Sequence, residues 1–195
     1  VEETIKLAIS LDLDYASFAK VSPLPGTELY EGYSKELGED YWKRFGFDQK
    51  TGLDLPAEAT GFLPDAEEKE KRTGQPWRIG DTYNVSIGQG DLGVTPIRLL
   101  AMMASIANNG KMMKPRLLAD ERPTMIMNYS DWQPPLEEVQ RGLREAIAMP
   151  YGTASLLYDL PYKTAGKTGS SQTQNNTKTN AFFAGYGPVD DPQIA

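Results

Sequence analysis

Residues 162–172 read YKTAGKTGSSQ, a strip with two lysines, two threonines and two glycines but no acid, histidine or cysteine. The polar run TQNNTKTN (173–180) follows it, and then AFFAGYGP (181–188). Two strand-like segments joined by a polar connection predict a long β-hairpin. Together with Pro161, the strip also comes within one residue of the phosphate loop G-x-x-x-x-G-K-[ST]. Pro161 stands where that loop needs its first glycine, whose freedom lets backbone N–H groups aim at phosphate. The loop must also open a helix, and SSQTQNNTKTN is a poor helix former. The phosphate reading fails on context. A K-T-G tripeptide by itself is no more than a solvated edge strand, because three residues recur by chance.

The rest of the 195-residue chain narrows the chemistry. Hydrophobic residues at 39% can supply a core, and the length suits one domain or a domain with an appended piece. A net charge of −7 argues against nucleic acid as a partner. Cysteine and histidine are both absent, which removes thiol catalysis, disulfides, iron–sulfur ligation and nearly every zinc site. No metal or cofactor is expected, and acid–base work falls to Lys, Asp, Glu or Tyr. No apolar run reaches membrane-spanning length, and no signal-peptide pattern opens the chain. Val1 in place of an initiator Met, and a strand just starting at PQIA (192–195), read as the ends of a fragment.

Local signals give an outline of the elements. EETIKLAISLD (2–12) has helical spacing with early acids, and DYASFAKVSPLPG (14–26) alternates like a strand before a Pro/Gly turn. Thr27 caps a predicted helix through ELYEGYSKEL (28–37). KRFGFDQKTGLDLP (43–56) reads as short, turn-broken pieces, and residues 64–76 as an exposed charged loop without an apolar face. The firmest helix lies in VTPIRLLAMMASIANNGK (94–111), with Thr95 as cap, Pro96 in the first turn and Asn109-Gly110 at the exit. It is apolar almost all round, which predicts burial. LEEVQRGLREAIAM (136–149) predicts a second helix with Leu136, Val139, Leu143 and Ile147 on one face, and TASLLYDL (153–160) a short third one.

From about Phe45 to Ala195 the ordered motifs resemble the C-terminal part of a class B penicillin-binding protein, the peptidoglycan D,D-transpeptidase of the elongation type. NVSIGQGDLGVTPIRLLAMMASIANNGKMMKPRLL (84–118), with Gly88-Gln89-Gly90 and Thr95-Pro96 in place, is the most specific stretch. GLREAIAMPYGTASLL, AGKTGSSQ and NAFFAGYGPVDDP follow in the family's order, and FGFDQKTGLDLPAEATGFLPD precedes them. The resemblance implies an α+β fold of the penicillin-binding and serine β-lactamase kind, truncated at both ends. Its antiparallel sheet should hold both hairpin strands, covered by the Thr95–Asn109 helix. It also implies roles for the K-T-G box. Lys167 would place a positive charge beside a substrate carboxylate and acidify a neighbouring hydroxyl, and the Thr168 hydroxyl would bond that carboxylate. Gly169 would let a ligand backbone approach, and the Ser170 N–H would donate into an oxyanion hole. The implied partners are peptidoglycan stem peptides, lipid-linked precursors, β-lactam antibiotics and a glycosyltransferase. The implied setting is an inner-membrane anchor with the catalytic domain outside the cytoplasm. A non-catalytic binding or sensor module on the same fold is the alternative.

Two family motifs are missing. No S-x-N triplet occurs in the chain, and S-x-x-K occurs once, at Ser17-Phe18-Ala19-Lys20. The family sets its nucleophilic Ser and Lys one helical turn apart, whereas YASFAKVSPLP alternates as a strand and runs into Pro23 and Pro25. Ser17 and Lys20 are read as a decoy, and the chain alone as inactive. Residues 1–44 are set apart as a separate segment. VEETIKLAISLDLDYASFAKVSPLPGTELYE and GEDYW resemble a late barrel segment of cobalamin-type radical S-adenosylmethionine enzymes, which suggests a chimera. That family holds its cluster through three cysteines and this chain has none, so no radical chemistry is assigned.

Overall fold

The structure is a computed structural model, and it describes residues 45–86, 88–173 and 177–195. The helix, strand and capping signals expected in residues 1–44 lie outside the described residues, as do Ser17 and Lys20.

The segment 64–76 is not a loop. Ala66–Thr73 forms helix α1, capped by the Asp65 side chain, which accepts from the Glu68 N–H at 2.8 Å. Gly74 closes it in the left-handed region at φ 68°. Glu67 with Lys71 and Glu68 with Arg72 pair one turn apart along it. None of its residues is buried. Caps and ion pairs make this helix, not an apolar face, so hydrophobic periodicity passes over it. Lys69 then pairs with Asp81 at 2.5 Å, tying α1 to helix α2 (Ile79–Ser86), an element that sequence patterning does not announce.

Helix α3 (Pro96–Ala107) starts and stops where its signals say. The Thr95 hydroxyl accepts from the Arg98 N–H, and Asn109 and Gly110 leave the helix at φ 50° and 88°. It is not buried all round. Leu100 faces solvent, while Arg98, Ala101, Met103, Ser105 and Ile106 are buried. Arg98 is the exception among them in being charged, and burial depresses its pKa from the usual value. Its Nη2 donates to the carbonyls of Gln49 (3.1 Å) and Lys50 (2.7 Å), which anchors the turn-rich segment 45–50 to the helix.

Beyond α3, strand β1 (Lys111–Met113) pairs antiparallel with β2 (Met125–Asn128), with an irregularity between Met112 and Met113. Tyr129 follows, buried, its hydroxyl in contact with that of Ser105 and its ring edge-on to Phe45 at 5.5 Å. Helix α4 (Gln133–Ala148) buries Leu136, Leu143 and Ile147, but leaves Val139 43% exposed. At roughly 100° per residue, Val139 lies about 60° off the line of the other three. Gln140, about 40° off on the other side, donates to the Ile106 carbonyl at 2.6 Å, in the last turn of α3. The helix expected over 153–160 shrinks to a single 3₁₀ turn, Ser155–Leu157.

The hairpin is as expected: β3 (Ala165–Thr173) and β4 (Lys178–Tyr186) pair antiparallel over nine residues each. Ala165 opposes Tyr186 and Lys167 opposes Ala184, and this face meets the helices, with Ala165 and Tyr186 in the core. The cover is shared: α4 packs on β3, and α3, expected to cover both strands, packs mainly on β4. Past β4, Ile194 bridges back to Gly187 antiparallel through two main-chain bonds, within the PQIA segment read as a strand just starting. The architecture is α+β, with helices against two separate two-stranded antiparallel sheets among the described residues.

Candidate active site

Strand β3 places the four residues singled out from the sequence in one continuous ladder. Lys167 opposes Ala184, Thr168 opposes Phe183, Gly169 opposes Phe182 and Ser170 opposes Ala181. The backbone runs extended through Gly169, so the geometry of a phosphate loop opening a helix is excluded here. Lys167, Gly169 and Ser170 are exposed, and Thr168 is half-buried. The Lys167 Nζ donates to the Thr168 carbonyl at 2.6 Å. No ion pair joins it to a carboxylate among the described residues, so its charge stands open to a ligand.

Two residues from distant elements meet this strip. Thr153, in the turn between α4 and the 3₁₀ turn, sets its hydroxyl 2.8 Å from that of Thr168. Gln89 donates from its carboxamide to the Ser170 carbonyl at 3.0 Å. Gln89 lies between Gly88 and Gly90, at φ 76° and 72°, so both flanking positions need the left-handed backbone that glycine adopts without a Cβ penalty. Within a strand a residue's N–H and C=O point to the same side, so Gln89 marks the side on which the Ser170 N–H also points. Both residues lie in motifs of the family resemblance, yet neither carries a local signal of its role. Their partners are 15 and 81 residues away, which no local pattern encodes.

The site therefore offers an ammonium, two coupled hydroxyls and an exposed strand residue to an anionic, extended ligand. It contains no histidine, and no group of His, Cys, Asp or Glu able to hold a metal occurs among the described residues. Residues 28–195 match the penicillin binding protein transpeptidase domain. The chain belongs to the penicillin-binding protein transpeptidase family. That match begins inside the segment 1–44 that the sequence reading set apart.

Among relatives of this transpeptidase domain, the peptidoglycan D,D-transpeptidase MrdA of Haemophilus influenzae is 30% identical over 183 residues, covering 80% of this chain and 28% of that protein. MrdA of Acinetobacter baumannii is 31% identical over 177 residues, covering 80% and 26%. The chain thus spans less than a third of these relatives. Of solved structures, the penicillin-binding protein PBP2 of Helicobacter pylori, in complex with MreC, superposes with a TM-score of 0.71 at 25% identity, covering 98% of this chain and 43% of that one. PBP2 of Pseudomonas aeruginosa, in complex with WCK 5153, gives 0.65 at 33% identity, covering 78% and 36%.

Proposed function

We propose that residues 45–195 form the acyl-donor side of a serine D,D-transpeptidase that cross-links peptidoglycan stem peptides. The observation that carries this is the Lys167 ammonium, unpaired by any described carboxylate and held at the Thr168 carbonyl of β3, the next residue bearing an accessible hydroxyl. The terminal carboxylate of a D-Ala-D-Ala stem peptide docks there, with Lys167 supplying charge and Thr168 a hydrogen bond. Gly169, with no side chain, lets the peptide backbone lie close to the strand. The Ser170 N–H stabilises the oxyanion that develops on the penultimate D-Ala carbonyl. A serine hydroxyl attacks that carbonyl, D-Ala leaves, and an amine from a neighbouring strand takes the acyl group. β-Lactams enter through the same carboxylate site.

No S-x-x-K occurs among the described residues, and we assign the attacking serine to such a motif other than Ser17–Lys20, which is kept as a decoy. The partners follow the relatives. A glycosyltransferase and lipid-linked precursors are proposed from the elongation-type family, and an inner-membrane anchor with extracytoplasmic catalysis from the same source. Among the described residues no helix is long and apolar enough to cross a membrane. For residues 1–44 we retain the resemblance to radical enzymes as a proposal. A C-x-x-x-C-x-x-C motif in the coding sequence upstream would support it, and an S-x-x-K there would oppose it.

Two measurements test the reading. The 195-residue chain, titrated with diacetyl-L-Lys-D-Ala-D-Ala and followed by NMR, is expected to shift the amides of Lys167–Ser170. The same peptide with a C-terminal amide, lacking the carboxylate, should leave them still. Equal shifts from both peptides, or none from either, would end the proposal. Incubation with a fluorescent penicillin followed by denaturing electrophoresis should show no labelled band, and a band mapped to Ser17 would restore that residue as the nucleophile.

A further inference from the structure

Thr153 and Thr168 form a closed pair of hydroxyls: each has the other as its sole hydrogen-bond partner among the described residues, 2.8 Å apart. A hydroxyl carries one proton and two lone pairs. If Thr168 donates to Thr153, its proton is spent and it can offer a carboxylate only repulsive lone pairs. If Thr153 donates to Thr168, the Thr168 proton is free to point outward. Thr153 has no other described acceptor for its own proton, so the second arrangement uses every donor once an anion arrives.

The backbone holds Thr153 for this purpose. The Gly152 N–H donates to the Met149 carbonyl at 2.9 Å, and the Ala154 N–H to Ala146 at 2.9 Å, with Ala154 buried. The turn is thereby locked to the last turn of α4. The same helix reaches β3 again through Arg144, whose Nη1 donates to the Thr164 carbonyl at 2.8 Å. Thr153 is therefore carried on a frame fixed relative to the strand.

We infer that Thr153 is a positioning residue whose hydroxyl donates to Thr168 and so turns the Thr168 proton toward the terminal carboxylate of the acyl donor. This rests on the carboxylate-docking reading above. The hydrogen bonds run in one direction, Thr153 to Thr168 to carboxylate, and each polarises the next. Lys167 supplies the charge that draws the carboxylate in.

The test is the same NMR titration of the 195-residue chain with diacetyl-L-Lys-D-Ala-D-Ala, applied to variants. T153V keeps the side-chain shape and removes the hydroxyl. It is expected to raise the dissociation constant about 3- to 10-fold, the scale of one lost hydrogen bond. T153S keeps the donor and should stay within about 2-fold of the parent chain. In a T168A background, T153V should add no further loss, because the group it orients is already gone. If the parent chain binds but T153V binds equally well, the inference falls and the docking reading stands. If T153V costs as much in the T168A background, or T153S fails to rescue, Thr153 acts through the fold alone and the inference falls. If the parent chain does not bind the peptide, both fall together.

Discussion

Glu58 illustrates how single side chains hold the loops that frame this domain. Its carboxylate accepts from the Thr51 hydroxyl (2.5 Å), the Thr51 N–H (2.6 Å) and the Gly52 N–H (3.0 Å). The Thr51 hydroxyl bond is the largest influence, and with the two backbone N–H groups and nearby Lys50 it holds the carboxyl below its usual pKa. A depressed carboxylate binds fewer protons folded than unfolded, so its contribution is present above the ordinary glutamate range and is lost as pH falls through the folded value. Acidification is therefore expected to open the 51–58 loop, read as a fall in the protection factors of the Thr51 and Gly52 amides once the intrinsic rate at each pH is divided out. Glu58→Gln should remove that pH dependence, and a Thr51 protection factor constant across the acid range would contradict the assignment. The candidate site follows a related logic with a different outcome for sequence reading. Lys167, Thr168, Gly169 and Ser170 were legible because strand alternation and the K-T-G box are local. Thr153 and Gln89 were not, because what makes them relevant is a contact made only after the chain folds.

At the scale of elements, the hairpin separates a glycine that its packing requires from one that it does not. A Cβ on Gly166 would overlap the Phe183 ring and lie 2.9 Å from the Ala184 carbonyl. A Cβ on Gly169 would meet only the Phe182 Cβ, at 4.0 Å, an ordinary contact. Gly166→Ala should therefore push Phe183 aside and destabilise the hairpin by about 1–3 kcal/mol, measured by urea unfolding. Gly169→Ala should leave the unfolding midpoint within about 0.5 kcal/mol of the parent. On the docking proposal it should nevertheless abolish the amide shifts caused by diacetyl-L-Lys-D-Ala-D-Ala, because the added methyl would stand where that proposal lays the ligand backbone. A Gly169→Ala chain that still binds the peptide would remove the close-approach role. The hairpin and α3 were readable in advance for a common reason: each carries its boundaries in its own residues, a polar connection in one case and Thr95-Pro96 with Asn109-Gly110 in the other. Helix α1 has equally local boundaries at Asp65 and Gly74, yet apolar periodicity, on which the segment was judged, is absent from it. Val139 shows the opposite failure, since an apolar residue near a buried stripe need not be on it.

Taken as a whole, the molecule has more apolar surface than its described packing covers. The helices back one face of the β3–β4 hairpin, but Phe182 and Phe183 each remain nearly half exposed. Leu156 is 98% exposed, and Tyr151, Tyr158 and Ile194 also stand largely in solvent. Neither two-stranded sheet pairs with a further strand among the described residues, so strand edges and apolar side chains are open together. A two-stranded sheet has little stability of its own and takes it from whatever packs against it. Open edges beside exposed aromatics favour pairing with another chain. A net charge of −7 opposes association, but salt screens it over about 10 Å at 0.1 M, whereas apolar burial and main-chain pairing act at contact. The 195-residue chain is therefore expected to self-associate, and to do so more strongly as salt is raised. Light scattering coupled to size exclusion should show a mass that rises with concentration, and thermal unfolding should be broad and concentration-dependent. Phe183→Ser, on the face away from the helices, should shift the mass toward the monomer. A monomeric chain that melts in one sharp, concentration-independent step would show that its own packing is sufficient and that the exposed aromatics await no partner surface.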